Sequence, residues 1–317
     1  MARIPRLLLH GESATYHIVS HTALEGFVLD DVEKDLFVRL LRRLSAVYFV
    51  ELFGFAVLGN HFHLLARMRR GEEFPDGEIR RRFTLCYGEA RAQTLGDDQL
   101  PFYREKWASL SEFAKDLKQT FSRQYNKAHA RRGFFWGERF KSVLVEDGDT
   151  VLSVLAYIDL NGVRAGIVDR PEKYRWCSLA HHVQAANADR LLSTDFGLRH
   201  FADLSGEDRL QYYRKFVYEV GSLPSEKGAH ISEAVLEAEE SAGFRLSGMN
   251  RFLYRTRYFT DSGVIGTKEF VARCALLFEG HFACRNPKKP RPISGLDGVY
   301  SLKRLAEASE VAAAAGS

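Results

Sequence analysis

Two apolar runs joined by a tight turn constrain this chain more than any other feature. Val47 to Val57 is dense in Phe and Val, Leu58-Gly59-Asn60 is a turn signal, and His61-Phe62-His63-Leu64-Leu65-Ala66-Arg67 follows at once. The pattern predicts two antiparallel strands of one hairpin. Strand side chains alternate between faces, so His61 and His63 point together while Phe62 and Leu64 point the other way. Two imidazoles on one pleat serve either as a pair of metal ligands or as a satisfied core pair, and the hairpin alone leaves both open.

The flanking sequence supplies the rest of a sheet. Thr15 to Ser20 is β-rich and alternating, which predicts a first strand. Asp30-Asp31 caps a helix whose apolar residues Phe37, Val38, Leu41 and Leu44 recur at helical spacing. Strand, helix and hairpin in that order predict an α+β protein with a mostly antiparallel sheet and helices on one face. Gly71 to Asp98 reads as loop then helix, and Ser111 to Lys127 as a helix with Ser109 and Ser111 as candidate caps. Val143 to Val145 is a short strand, and Asp147 to Thr150 caps a helix running from Val151 to Val163. Ala180 to Asp189 is soft and polar, and a boundary near residue 185 divides a first domain, 1–185, from a mainly helical second, 186–317. Within the latter, Tyr258 to Gly266 reads as a turn into a helix, and Ala306 to Ser317 as a frayed end.

Charge is unevenly distributed in a chain whose net charge is only +4 over 317 residues. Arg80-Arg81-Arg82 begins a first basic segment, a second runs from Lys115 to Lys141, and a third holds Arg285, Lys288, Lys289 and Arg291. Such runs are either solvated faces or contacts to a polyanion. Cys86, Cys177, Cys274 and Cys284 lie without CxxC spacing, which predicts free thiols rather than a zinc knuckle. No apolar run reaches membrane-spanning length, and the apolar patch after Arg6 is too short for a signal peptide, so a cytoplasmic location is expected.

Two further segments carry chemistry. In Arg131-Arg132-Gly133-Phe134-Phe135-Trp136-Gly137-Glu138-Arg139-Phe140-Lys141 aromatic residues interleave with cations, the pattern of a single-stranded nucleic-acid contact or of a hydrophobic hairpin with basic flanks. Along the helix Val151 to Val163, Val151, Leu152, Leu155 and Ile158 form the packing stripe, whereas Ser153, Tyr157 and Asn161 share another line. Four residues climb about 6 Å, so the Tyr157 hydroxyl and the Asn161 amide can reach one small volume.

Taken together, Tyr16-His17-Ile18-Val19-Ser20, Gly59 to Leu65, Trp136 to Ser142, and Tyr157 to Gly166 resemble, in order and spacing, the REP-associated tyrosine transposases, members of the HUH single-tyrosine transposases that act on single-stranded DNA. The resemblance covers residues 1 to 180. It implies a ferredoxin-like, RRM-like core, with His61 and His63 as metal ligands, Asn161 as the third ligand, Tyr157 as the nucleophile, and Mg²⁺ or Mn²⁺ as the ion. The implied partner is hairpin-forming single-stranded DNA, bound by a monomer or homodimer of a bacterial, nucleoid-associated protein. Arg131, Arg132, Arg139 and Lys141 would hold phosphates, and Phe135 or Trp136 would stack on bases. Pro287 to Arg291 would grip the phosphates of a duplex stem or serve as a basic linker. Two departures stand out. Gly162 occupies the position where relatives have proline, which is expected to loosen the helix end, and the segment after His63 is long, which reshapes the expected DNA groove.

The chemistry is coherent. Tyrosine is a poor nucleophile at its free pKa, so attack on phosphorus requires a polarised phosphate. The expected product is a 5′-phosphotyrosine with a free 3′ hydroxyl, reversible on another strand without ATP. The competing expectation is a regulator that holds hairpin DNA or RNA without cutting. A water-activating metal phosphoesterase is disfavoured because no Asp or Glu set has suitable spacing.

Overall fold

The computed structural model of the protein describes residues 8–9, 12–146, 148–194, 204–223, 228–245, 265–277, 289–292 and 300–301. Strands β1 (Ala14–His21), β2 (Val50–Val57), β3 (His61–Met68) and β4 (Lys141–Val145) form one antiparallel sheet in the order β2-β3-β1-β4. The hairpin closes as expected, with Val57 opposite Phe62 and Ala56 opposite His63. Helix α1 (Asp31–Ser45) starts where Asp30 accepts hydrogen bonds from the amides of Val32 and Glu33, groups that the first helical turn leaves without a partner. Helix α5 (Leu110–Ala128) is capped by Ser109, not Ser111.

Alternation along the strands sends Tyr16, Ile18, Phe62 and Leu64 into a core with Phe37, Leu41, Phe113 and Phe121 of α1 and α5. Burying each of these large side chains contributes about 1.5–3 kcal/mol. The long segment after His63 folds into α2 (Asp76–Tyr87), α3 (Glu89–Ala92) and α4 (Leu100–Trp107), whose Ile79, Phe83 and Trp107 extend this same core. It therefore thickens the face opposite the imidazoles. The arginine triplet in it is largely neutralised: Arg81 and Arg82 pair with Glu78, and Arg80 with Asp97.

Pattern alone anticipates helices on one face, and the structure adds a second helical layer. A bulge between Leu52 and Gly54 turns Phe53 and Ala56 into a second core with Leu65, Val151, Leu155 and Ile158. Helix α6 (Asp149–Asp159) and helix α8 (Ser178–Ala185) both pack on β2. Gly54 permits the approach, because a Cβ there would lie 2.1 Å from Leu155 Cδ1. The cap expected at Asp147 falls outside the described residues, and Gly148 occupies the N-cap position.

The helix line continues past Leu160 into α7 (Asn161–Arg164). Gly162 lies in this short helix. A Cβ at this position would come within 2.8 Å of the Tyr174 ring, whose hydroxyl donates to the Val57 carbonyl at 2.6 Å, so the residue is a point of tight packing.

The second core crosses the boundary expected at 185/186. Tyr213, Val217 and Tyr218 of α9 (Gly206–Ser222), with Ile231 and Phe244, share it with α6. Arg214, fully buried, donates to Glu172 at 2.6 Å and to Glu239 of α10 (Glu233–Ser241) at 2.8 Å. Beyond these lie α11 (Lys268–Leu277) and a small sheet of β5 (Ile265–Gly266), β6 (Arg291–Pro292) and β7 (Tyr300–Ser301) in the order β5-β7-β6. Pro287, Lys288, most of the turn expected at Tyr258 to Gly266, and the alanine-rich tail lie outside the described residues. No helix among the described residues is long and apolar enough to cross a membrane.

Candidate active site

Strand register places four imidazoles on one face of the sheet. His21 lies opposite His61, Val19 opposite His63, and His17 opposite Leu65. The His21 and His61 rings stack with centroids 4.7 Å apart, and those of His17 and His63 at 5.2 Å. His61 and His63 stand 5.0 Å apart, nearly perpendicular. Across β1, Lys141 is opposite Val19 and Val143 opposite His17, so both continue the imidazole face onto β4. Because α6 packs on β2 and β3, the β1–β4 half stays open: His21, Lys141 and Val143 are exposed, and His17 and Val19 partly so.

Tyr157 leans over this floor from α6. Its ring meets those of His63 and His17 edge-on, at centroid distances of 5.7 and 6.0 Å, and it is 43% exposed. The Arg164 guanidinium lies 4.9 Å from the Tyr157 ring centroid. One turn further along, the Asn161 amide nitrogen donates to the carbonyls of Tyr157 and Ile158 at 3.0 and 3.1 Å. Only its Oδ1 is left to serve as a ligand.

Hydrogen bonds to the imidazoles define what they can offer. His61 Nδ1 sits 2.7 Å from Asn60 Oδ1, so Nδ1 is the donor and Nε2 keeps its lone pair. His63 Nδ1 lies 3.0 Å from His17 Nε2. With the proton on His63 Nδ1, His63 Nε2 is likewise free to bind a cation, and His17 becomes the orienting partner typical of metal-bound histidines. Burial lowers the pKa of His61 to about 4 and that of His63 to about 3, helped by His21 in the first case and by His17, His61 and His21 in the second. Both rings are therefore neutral near pH 7. Among the described residues no group of three or more His, Cys, Asp or Glu side chains is arranged to hold a metal ion. The two Nε2 atoms are donors of a type that suits a divalent ion.

The aromatic and basic residues of 131–141 part company. Arg132, Arg139 and Lys141 are exposed, and with Arg131 they form no ion pair among the described residues. Phe135 and Trp136, expected to stack on bases, are 1% and 8% exposed. Both rings belong to the first core, and Trp136 Nε1 donates to the Lys118 carbonyl at 3.0 Å. Neither ring can receive a base without opening that core, so their role is packing. The exposed ring of the segment is Phe134, at 88%.

Sequence reasoning passed over His17, His21 and Arg164. The signal for the first two was the spacing His17-x-Val19-x-His21 in a strand, which puts both rings on one face. Arg164 lies seven residues after Tyr157, two helical turns, a spacing that brings the guanidinium back over the ring.

No family model and no curated protein matches the chain. A solved structure to which it is similar is that of a REP-associated tyrosine transposase bound to a REP hairpin. The sequences are 15% identical, the TM-score is 0.40, and the match covers 58% of this chain and 86% of that chain.

Proposed function

We propose that this protein nicks single-stranded, hairpin-forming DNA and transfers the strand through a 5′-phosphotyrosine on Tyr157. The observation that carries the reading is a half-exposed phenol beside the His63 and His17 imidazoles on an open, cation-bordered floor. Tyr157 Oη attacks phosphorus, the bond from phosphorus to the 3′ oxygen breaks, and the phenol proton ends on the departing 3′ oxygen. Lys141, on the same face as His63, holds a backbone phosphate along the floor. Arg164 keeps a positive charge against the ring that carries the attacking oxygen. His61 Nε2 and His63 Nε2, with Asn161 Oδ1 as third donor, would hold Mg²⁺ or Mn²⁺. His17 and Asn60 fix the two rings in the tautomers that this requires. When bound, the ion supplies positive charge that polarises a phosphate oxygen.

The test is a denaturing gel with labelled single strands that carry hairpins. A metal-dependent, protease-sensitive adduct is expected with the native protein and not with Tyr157→Phe, while the variant still binds the strand. Strand binding without an adduct under Mg²⁺ and Mn²⁺ would overturn nicking and leave a regulator that holds hairpins.

A further inference from the structure

We infer that Phe27 and Phe134 form a stacking rim for unpaired nucleobases at the imidazole end of the sheet. The two rings are 84% and 88% exposed, yet each stands on a backbone held on both sides. Phe27 lies against the hairpin turn that leads into His61: a Cβ on Gly59 would fall 2.7 Å from Phe27 Cδ1. Its loop is tied to that turn by the Thr22 amide on the Asn60 carbonyl and the Leu29 amide on the Gly59 carbonyl, both at 2.8 Å. Leu24, Val28 and Leu29 of the loop turn into the first core, whereas the Phe27 ring faces out. Phe134 follows Gly133, whose carbonyl accepts from Asn126 at 2.9 Å. It precedes Phe135, whose carbonyl accepts from the Ala23 amide at 2.7 Å. The Ala23 to Phe135 bond therefore joins the two ring-bearing segments where β1 ends at His21.

Rigid, solvent-facing aromatic rings favour flat apolar partners, because stacking costs them little conformational entropy. The surroundings select which partner. Arg131, Arg132, Arg139 and Lys141 border the same segment without ion pairs among the described residues, the last three of them exposed. Flat rings among uncompensated cations match a single strand, whose bases stack while its phosphates are held. A duplex hides its base faces and would use the cations only.

This inference rests on the nucleic-acid part of the proposed function and not on Tyr157. Its test therefore uses binding alone, with fluorescein-labelled dT20 and a 20-base-pair duplex, by anisotropy in EDTA. Phe27→Ala and Phe134→Ala should each weaken dT20 binding by about 5- to 150-fold. Both should leave duplex binding and the thermal midpoint unchanged, and Phe134→Trp should restore affinity. Alanine variants that bind dT20 as the native protein does would overturn the rim. So would variants that change only self-association in ultracentrifugation, which would mark a protein interface instead. Loss of the covalent adduct in the gel assay, with the dT20 pattern intact, would sink strand transfer and leave the rim standing.

Discussion

The Tyr213 hydroxyl donates to the buried carboxylate of Asp159 at 2.5 Å, tying α9 to the helix that carries Tyr157. Asp159 also accepts from the Ser178 hydroxyl at 2.6 Å and the Leu179 amide at 2.9 Å, so one carboxylate joins α6, α8 and α9. Removing one donor leaves a buried acceptor short of a partner, which costs about 1–3 kcal/mol. Tyr213→Phe should therefore lower the urea midpoint without changing the slope. A fragment ending at residue 185 should fail to fold, because it exposes Asp159 and the side of the second core covered by Tyr213, Val217, Tyr218, Ile231 and Phe244. A native-like circular dichroism spectrum and cooperative melt for that fragment would disprove the shared core.

Gly162 and Tyr174 make a contact that no larger residue permits. Gly162→Ala places a methyl 2.8 Å from the Tyr174 ring and pushes the phenol off the Val57 carbonyl. Overpacking of this kind costs about 1–3 kcal/mol, even though alanine is the better helix former. Thermal melts should show Gly162→Ala less stable than the native protein and Tyr174→Phe intermediate. An alanine variant as stable as the native protein would show that the ring moves aside freely.

Phe134, Phe135 and Trp136 adjoin in sequence and separate in energetics. Trp136→Ala empties a site between Phe37, Phe62 and Phe121 and should cost about 3–5 kcal/mol. Phe135→Ala should behave likewise. Phe134→Ala, at an exposed position, should fall within about 0.5 kcal/mol of the native protein. Chemical denaturation of the three variants checks the division, and equal stabilities would refute it.

The same segment shows what a sequence can convey. Alternation located the hairpin, the two imidazoles and the first core, because a strand with one face in a core must repeat every second residue. Helical spacing aligned Tyr157 with Asn161, and only the resemblance set them opposite the imidazoles. What escaped were effects of tertiary packing. A run of three aromatics does not say which ring turns inward, since that depends on where α5 lies. The bulge at Phe53 shifts the alternation of β2 by one residue and creates the second helical layer, which no periodicity in the strand announces. The soft polar stretch near residue 185 read as a linker because its composition is that of a loop. The residues that hold α9 in place, Asp159, Glu172 and Arg214, are charged, and patterns score charged residues as surface.

His182 predicts the response to acid. It is buried, and its pKa falls to about 3, first through burial and next through neighbouring His181, with Asp189 opposing. The unfolded chain takes up this proton near pH 6.5 and the folded chain does not. Stability from this group is therefore full above pH 6.5 and falls as pH drops toward 3, by about 1.4 kcal/mol per pH unit. Between pH 6.5 and 5.0 the native protein should lose about 2 kcal/mol more than His182→Gln does, when each is followed by urea denaturation. Parallel pH profiles for the two proteins would show that His182 is not held neutral.

Lys118 and Lys141 belong to one basic segment of the sequence and should respond to mutation in opposite ways. Lys118 is buried, with its Nζ donating to the Glu138 carbonyl at 2.6 Å, and its own carbonyl receives Trp136. Lys118→Ala should lower stability, and the salt dependence of single-strand binding should stay as it was. Lys141 is exposed on the imidazole face and paired with no carboxylate among the described residues. On a single strand each neutralised phosphate releases about 0.7 of a counterion, so Lys141→Ala should reduce the slope of log affinity against log salt by about 0.7, with stability unchanged. Anisotropy titrations of dT20 from 50 to 300 mM NaCl measure the slope. Should Lys141→Ala keep the native slope while Lys118→Ala changes it, the phosphate path does not run over the open half of the sheet.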